Sequence, residues 1–262
     1  MKILVTGARG FVGARIMAAL EGAEAAPSLQ GLGEDDILRL IDAAEPDVIV
    51  HTAAISDIPT CEKDPEASFH ANVEIPVWLA KAGVKCVLFS TDQVYSGCES
   101  EGPYREEETC PANVYASHKL EMEQRVLEIN DRSVLLRATW MYDMPMYGVP
   151  NRDNFLISML RKPEVSFSST QHRAVTYVRE VAEWMNKAIT LPGGIYNYGS
   201  ENRLTMKETA AWLKEELSLP VAIREAGQRH NLWMDCSRIR AQEICFADTT
   251  DGLRQCIKDY SL

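Results

Sequence analysis

Residues 2–13 read Lys-Ile-Leu-Val-Thr-Gly-Ala-Arg-Gly-Phe-Val-Gly, an apolar run that breaks into glycines at Gly7, Gly10 and Gly13. A buried strand ending in such a turn, with an apolar helix after it, commits the chain to one local geometry. The backbone must reverse sharply, and the helix must pack closely on the strand it has just left. The start of that helix then offers free N–H groups and a partial positive charge, a ready place for a pyrophosphate. The spacing is G-x-x-G-x-x-G, not the more widespread G-x-G-x-x-G, and a tight turn that binds nothing would look similar. The strand–turn–helix context favours a dinucleotide site.

Downstream the pattern alternates. Strands are expected at 46–50, 86–89 and 133–137, and helices at 11–20, 35–44, 65–82 and 111–129, with 23–29 the weakest strand candidate. Short apolar runs separated by amphipathic helices predict an α/β fold, a Rossmann-type doubly wound parallel sheet. After Trp140 the texture changes: residues 141–153 are rich in Met, Tyr, Pro and Asn and read as a long loop. Helices at 155–160, 178–189 and 205–217 and strands at 164–167 and 194–198 follow, with Thr205 and Glu208 spaced as a capping box. The expected division is a nucleotide-binding domain over 1–145, with 163–199 returning to it. Residues 146–162 and 200–262 would form a small C-terminal α/β substrate-binding part.

A second signal lies some hundred residues on: Ser90-Thr-Asp-Gln-Val-Tyr95, then Tyr115-Ala-Ser-His-Lys119. Tyr115 and Lys119 are one helical turn apart and share a face. Thr91 ends a predicted strand, where open α/β sheets place their ligands. A phenol with a pKa near 10 is a poor proton carrier at neutral pH, but an ammonium about 4 Å away contributes roughly 4 kcal/mol at an effective dielectric near 20. That is about three pKa units, enough to bring the phenol toward 7. Thr91 would bind a carbonyl oxygen and Tyr115 would protonate it as a nicotinamide delivers hydride.

Cofactor choice turns on two positions. No acid stands at 25–28 to hold ribose hydroxyls, and Glu24 is the nearest. Arg9, inside the glycine turn, either meets a 2'-phosphate or is a solvated turn residue, so the balance leans toward NADP over NAD.

The formal net charge of −11 disfavours nucleic acid or an anionic membrane as the main partner. No apolar stretch approaches the ~20 residues of a membrane span, and Arg9 interrupts the first apolar run before a signal peptide could form. The seven scattered cysteines (61, 86, 98, 110, 236, 245, 256) make no C-x-x-C pair and read as reduced thiols in a cytoplasmic protein.

Taken together these segments resemble the extended short-chain dehydrogenase/reductase superfamily, and within it the dTDP-4-dehydrorhamnose reductase group. The resemblance is carried by Thr6–Gly13, by Pro46-Asp-Val-Ile-Val-His-Thr-Ala-Ala54, and by Asn72-Val73. It continues through Ser90–Tyr95, Arg137-Ala-Thr-Trp-Met-Tyr142, Gly194–Gly199, and Arg229 through Arg238. It implies Thr91, Tyr115 and Lys119 as the catalytic set. The cofactor would be NADP or NAD, held by Gly7, Arg9, Gly10, Phe11, Val12, Gly13, Ala53, Ala54, Asn72, Ser90, Tyr115 and Lys119. A nucleotide-sugar substrate would meet Thr91, Asp92, Gln93, Trp140 and Arg173. Sugar-nucleotide dehydratases resemble the chain too but carry Glu where Gln93 stands, and an amide cannot shuttle a proton at neutral pH. The expected activity is NAD(P)H-dependent reduction of a 4-keto-6-deoxy nucleotide sugar by a cytoplasmic enzyme, possible as a homodimer. The alternatives are a non-catalytic NADP-binding subunit resembling the methionine adenosyltransferase beta subunit, and a sugar-nucleotide epimerase.

Plainer readings fit the remaining features. The five histidines show no metal spacing. Arg173 would hold a substrate phosphate or make a surface salt bridge. Met141, Met144 and Met146 would line a sugar pocket or fill loop space. The acidic run 106–108 reads as solvated surface.

Overall fold

The computed structural model describes residues 1–149, 153–227 and 230–262. Ten strands lie within them: β1 Ile3–Thr6, β2 Ala23–Ala25, β3 Val48–His51, β4 Lys85–Thr91, β5 Val134–Ala138, β6 Trp140–Tyr142, β7 Glu164–Phe167, β8 Val175–Tyr177, β9 Gly194–Tyr198 and β10 Ala222–Glu225. Six form one parallel sheet in the order β2-β1-β3-β4-β5-β9. Order reverses between β1 and β3, and ligands in open α/β sheets sit beyond the carboxyl ends at such a point. Both faces are covered. Ile3, Val5, Val87 and Leu136 pack on Ile16, Val181 and Met185 on one side. Leu4, Ile49, Leu88 and Leu135 pack on Ile37, Leu79, Met122 and Val126 on the other. Period-two alternation thus feeds two separate cores, which is why these strands read as unbroken apolar runs.

The sheet's edges depart from the expected spans. β2 is three residues long, and Glu24 on it is exposed and pairs with Lys2 at 3.6 Å. Of residues 163–199, β9 alone joins the large sheet. β7 pairs with β10 and β8 with β6, each in a two-stranded parallel sheet. Residues 141–153 are not loop throughout, because Trp140–Tyr142 lies along β8. A third core gathers Tyr142, Phe155, Val165, Tyr177, Met206, Leu213 and Leu253 beside these short sheets.

The helix expected over 65–82 is interrupted. It runs as Pro65–Phe69, a π-helical turn His70–Glu74, then Ile75–Lys81. Pro76 supplies the reason: it has no N–H for the carbonyl four residues back, and its ring crowds that carbonyl, so the turn widens. The helix expected over 178–189 is likewise two pieces, Val178–Glu183 and Met185–Ala188. The capping box at Thr205 and Glu208 forms as read, with the Thr205 hydroxyl accepting from Glu208 N and the Glu208 carboxylate accepting from Thr205 N at 2.8 Å. No helix among the described residues is long and apolar enough to cross a membrane.

Candidate active site

The glycine turn is a cradle with no room for side chains. Gly7 sits at φ +70°, where a Cβ would come within 2.7 Å of Ala53 N and Thr52 Oγ1. A Cβ on Gly13 would stand 2.2 Å from Gly7 O. Residues Phe11–Ala19 begin a helix whose first turn receives no side-chain cap, so its N–H groups face the turn. Arg9 and Gly10 are exposed, Phe11 and Val12 half-buried. Ala53 and Ala54 follow β3 directly, across from Gly7. Close backbone approach, free N–H groups and small residues opposite fit a dinucleotide's pyrophosphate.

Asn72 serves at one remove. It is fully buried in the π-helical turn, its Oδ1 accepting from Ile55 N at 3.2 Å and its Nδ2 donating to Ile55 O at 2.9 Å. It therefore fixes the loop after Ala54. His51, at the end of β3, joins its Nδ1 to Thr6 Oγ1 at 2.6 Å, while its Nε2 and the Ser90 Oγ are buried without partners among the described residues. Burial holds the His51 pKa down at about 3, so the ring is neutral.

Thr91, Tyr115 and Lys119 come together, buried, at the carboxyl end of β4. The Val114–Ile129 helix carries the latter two, capped by Asn113, whose Oδ1 accepts from Ala116 N at 2.8 Å. Tyr115 lies in hydrogen-bond contact with Thr91. The expected drop in the phenol's pKa does not occur. Burial pushes Tyr115 well above its ordinary value, with the Asp92 charge adding to the rise. The Lys119 ammonium points elsewhere, donating to Phe89 O at 2.9 Å, and burial lowers its own pKa to about 8. Desolvation outweighs the lysine's field here.

The substrate-side residues divide. Gln93 accepts from Asn113 Nδ2 at 3.3 Å, which ties it to the cap of the Val114–Ile129 helix. Trp140 is half-buried, edge-on to Phe155. Arg173 makes a salt bridge that is largely buried and not at the surface. It forks onto Asp92, Nε to Oδ2 at 2.8 Å and Nη2 to Oδ1 at 3.1 Å, and Asp92 is 1% exposed.

Behind the helix lies a network that the sequence reading missed. Arg137 donates to both Glu123 oxygens at 2.9 and 2.7 Å, to Tyr95 Oη at 2.8 Å and to Glu106 O at 2.6 Å. Tyr95 donates to Asn197 Oδ1 at 2.7 Å. Glu106, expected at the surface, is buried, and its carboxylate accepts from Asn197 N at 2.9 Å. The available signal was Glu123, a charge four residues past Lys119 on the same buried helix face. Arg229 lies outside the described residues.

A family model described as the RmlD substrate binding domain matches residues 1–244. The chain belongs to this family. A dTDP-4-dehydrorhamnose reductase of Burkholderia thailandensis is 35% identical over 196 residues, 70% of this chain and 64% of that protein. The chain thus spans slightly less than two thirds of that relative's length. A dTDP-4-dehydrorhamnose reductase structure from Clostridium acetobutylicum superposes with a TM-score of 0.88 over 100% of both chains, at 22% identity. One from Bacillus anthracis, in complex with NADP, gives 0.85 at 22% identity, covering 98% of this chain and 99% of the other. At that identity the two structures establish the shared fold.

Proposed function

We propose that this family member is an NAD(P)H-dependent oxidoreductase that reduces the 4-keto group of a nucleotide-linked 6-deoxysugar, as its reductase relatives are named for doing. The observation that carries the reading is the convergence of Thr91, Tyr115 and Lys119 beside the glycine cradle. A bound nicotinamide would supply hydride to the carbonyl carbon. The Gly7–Gly13 turn, the N-terminus of the following helix and Ala53 would hold the dinucleotide. Ser90 Oγ and His51 Nε2 are buried polar atoms on the same side, ready to take partners there. The exposed Arg9 and the absence of an acid at 25–28 favour NADP, with NAD as the second choice.

Within the site each residue has a separate task. The Thr91 hydroxyl binds the carbonyl oxygen, which gains negative charge as hydride arrives. Tyr115 gives that oxygen a proton, and a phenol held above its ordinary pKa is protonated at neutral pH. Lys119 holds the carboxyl end of β4 through Phe89 O. Gln93 and Trp140 would meet the sugar, beside Arg173 from the segment before β8. A cytoplasmic setting and a homodimer accompany this reading as proposals.

The test is loss of nicotinamide absorbance when the protein is mixed with NADPH, then NADH, and a dTDP-4-keto-6-deoxyhexose. Turnover that vanishes in Tyr115→Phe supports the reductase. Binding of NADPH with no turnover overturns it in favour of a cofactor-binding regulatory subunit.

A further inference from the structure

Arg173 and Asp92 join two parts of the chain at the reacting centre. Asp92 follows Thr91 at the end of β4. Arg173 precedes β8, where its backbone bridges Leu232 and its carbonyl accepts from Asn202 Nδ2 at 3.0 Å. The guanidinium lies over the Trp140 ring, 5.6 Å from its centroid, and uses two nitrogens on the two Asp92 oxygens. Its side chain is 19% exposed and its partner's 1%. A bidentate fork of this kind is geometrically fixed as well as strong.

The placement matters because of Thr91. Its hydroxyl has one proton, which it donates to Asp92 Oδ1 over a long 3.4 Å. A bare carboxylate would draw that proton from the substrate oxygen. It would also set negative charge where an alkoxide must form. Asp92 meets Arg173 from the segment before β8, Thr91 from its own strand and Tyr115 from the catalytic helix. Cys61 of the Ile58–Lys63 helix faces Tyr115 from the other side, and Lys119 lies one turn along.

We propose that Arg173 is a positioning residue for the reduction: by engaging both oxygens of Asp92, it keeps that carboxylate's hold on the Thr91 hydroxyl long and weak, so that the substrate carbonyl can take the hydroxyl over, and it cancels a charge that opposes the forming alkoxide. In the step so served, hydride and its electron pair pass from NAD(P)H to the carbonyl carbon. The C=O π pair moves onto oxygen, and the Tyr115 proton completes the alcohol. The role rests on the reductase reading above.

Three variants test it: Arg173→Gln, Asp92→Asn and the double variant, each assayed for kcat and KM across pH. Arg173→Gln should lower kcat at pH 8 on the order of 10²-fold, comparable to losing one donor to the oxyanion, while KM moves little. Burial already lifts the Asp92 carboxyl above its ordinary range against the guanidinium's pull. Without Arg173 it would titrate higher still, so the variant's kcat should recover as pH falls and Asp92 takes a proton, a limb that wild type lacks. The double variant should lose that limb and regain most of the activity.

Stability gives a second readout that needs no turnover. An acid with a raised folded pKa keeps its proton longer in the native state, so stability falls as pH rises through that range. Arg173→Gln should show this slope in urea unfolding, and the double variant should not. A rise in KM with unchanged kcat would overturn the proposal and make Arg173 a substrate anchor. Equal loss in the single and double variants, or no slope, would overturn it too. No turnover by wild type would instead bring down the reductase reading, and this role with it.

Discussion

The two sides of the Val114–Ile129 helix treat buried polar groups differently. On the back, Glu123 and Arg137 are 0% and 1% exposed, and every polar atom of the pair has a partner. On the front, Ser90 Oγ and His51 Nε2 have none, Lys119 holds its charge against burial, and Tyr115 is pushed far from its ordinary pKa. A satisfied buried network fixes a structure. A strained one holds groups ready for a ligand that supplies what they lack. The contrast sets a satisfied side against an unsatisfied one within one helix, with Lys119 and Glu123 four residues apart.

Variants on the two sides should therefore fail in different ways. The largest expected effect is on the front: Tyr115→Phe should lower kcat about 10²–10⁴-fold with little change in unfolding. A parallel loss of stability, seen in a urea titration, would erase the distinction. On the back, Arg137→Met leaves the Glu123 carboxylate buried and unpaired, which costs about 3–5 kcal/mol, or a Tm lower by on the order of 10 °C. Activity per folded molecule should fall far less than in Tyr115→Phe.

Lys119→Met sharpens the comparison through pH. Burial lowers the native lysine's pKa to about 8, from an ordinary 10.5. Below 8 both states carry the proton, and the native state bears the full cost of burying it, ~3 kcal/mol. Between 8 and 10.5 the unfolded chain binds more protons, so wild-type stability rises with pH. The Met variant should be inactive yet more stable at pH 7, its advantage shrinking by pH 10. An unchanged difference at the two pH values would remove Lys119 from the strained side. The smallest effect is at a helix cap: Thr205→Ala removes a cap worth about 1 kcal/mol, and should alter unfolding far more than turnover.

What could be read in the sequence depended on range. β1, the glycine turn and the capping box at Thr205 are local patterns, and they formed where expected. Gly194–Tyr198 was legible as a strand, but nothing local says that it lies beside β5. The π-helical turn needed Pro76 to be weighed against a helix pattern that otherwise ran straight through it. Glu106 was misread because three acids in a row look solvated, while the amide it accepts belongs to Asn197, 91 residues away. Arg173 could be named as a candidate, but its partner stands 81 residues earlier. The Tyr115 prediction failed on desolvation, which depends on everything packed around the phenol and on no spacing within the helix.

Asn197 itself has a consequence for assembly. Its side chain and amide join Tyr95, Tyr104, Glu106 and Asp235, groups from both sides of β9 in sequence. These bonds join residues 38 to 102 positions apart in the chain. Those long loops must be closed before the contacts repay them. The sixth strand should therefore be the last of the sheet to be fixed, its amides gaining protection from hydrogen exchange after those of β1, β3 and β4.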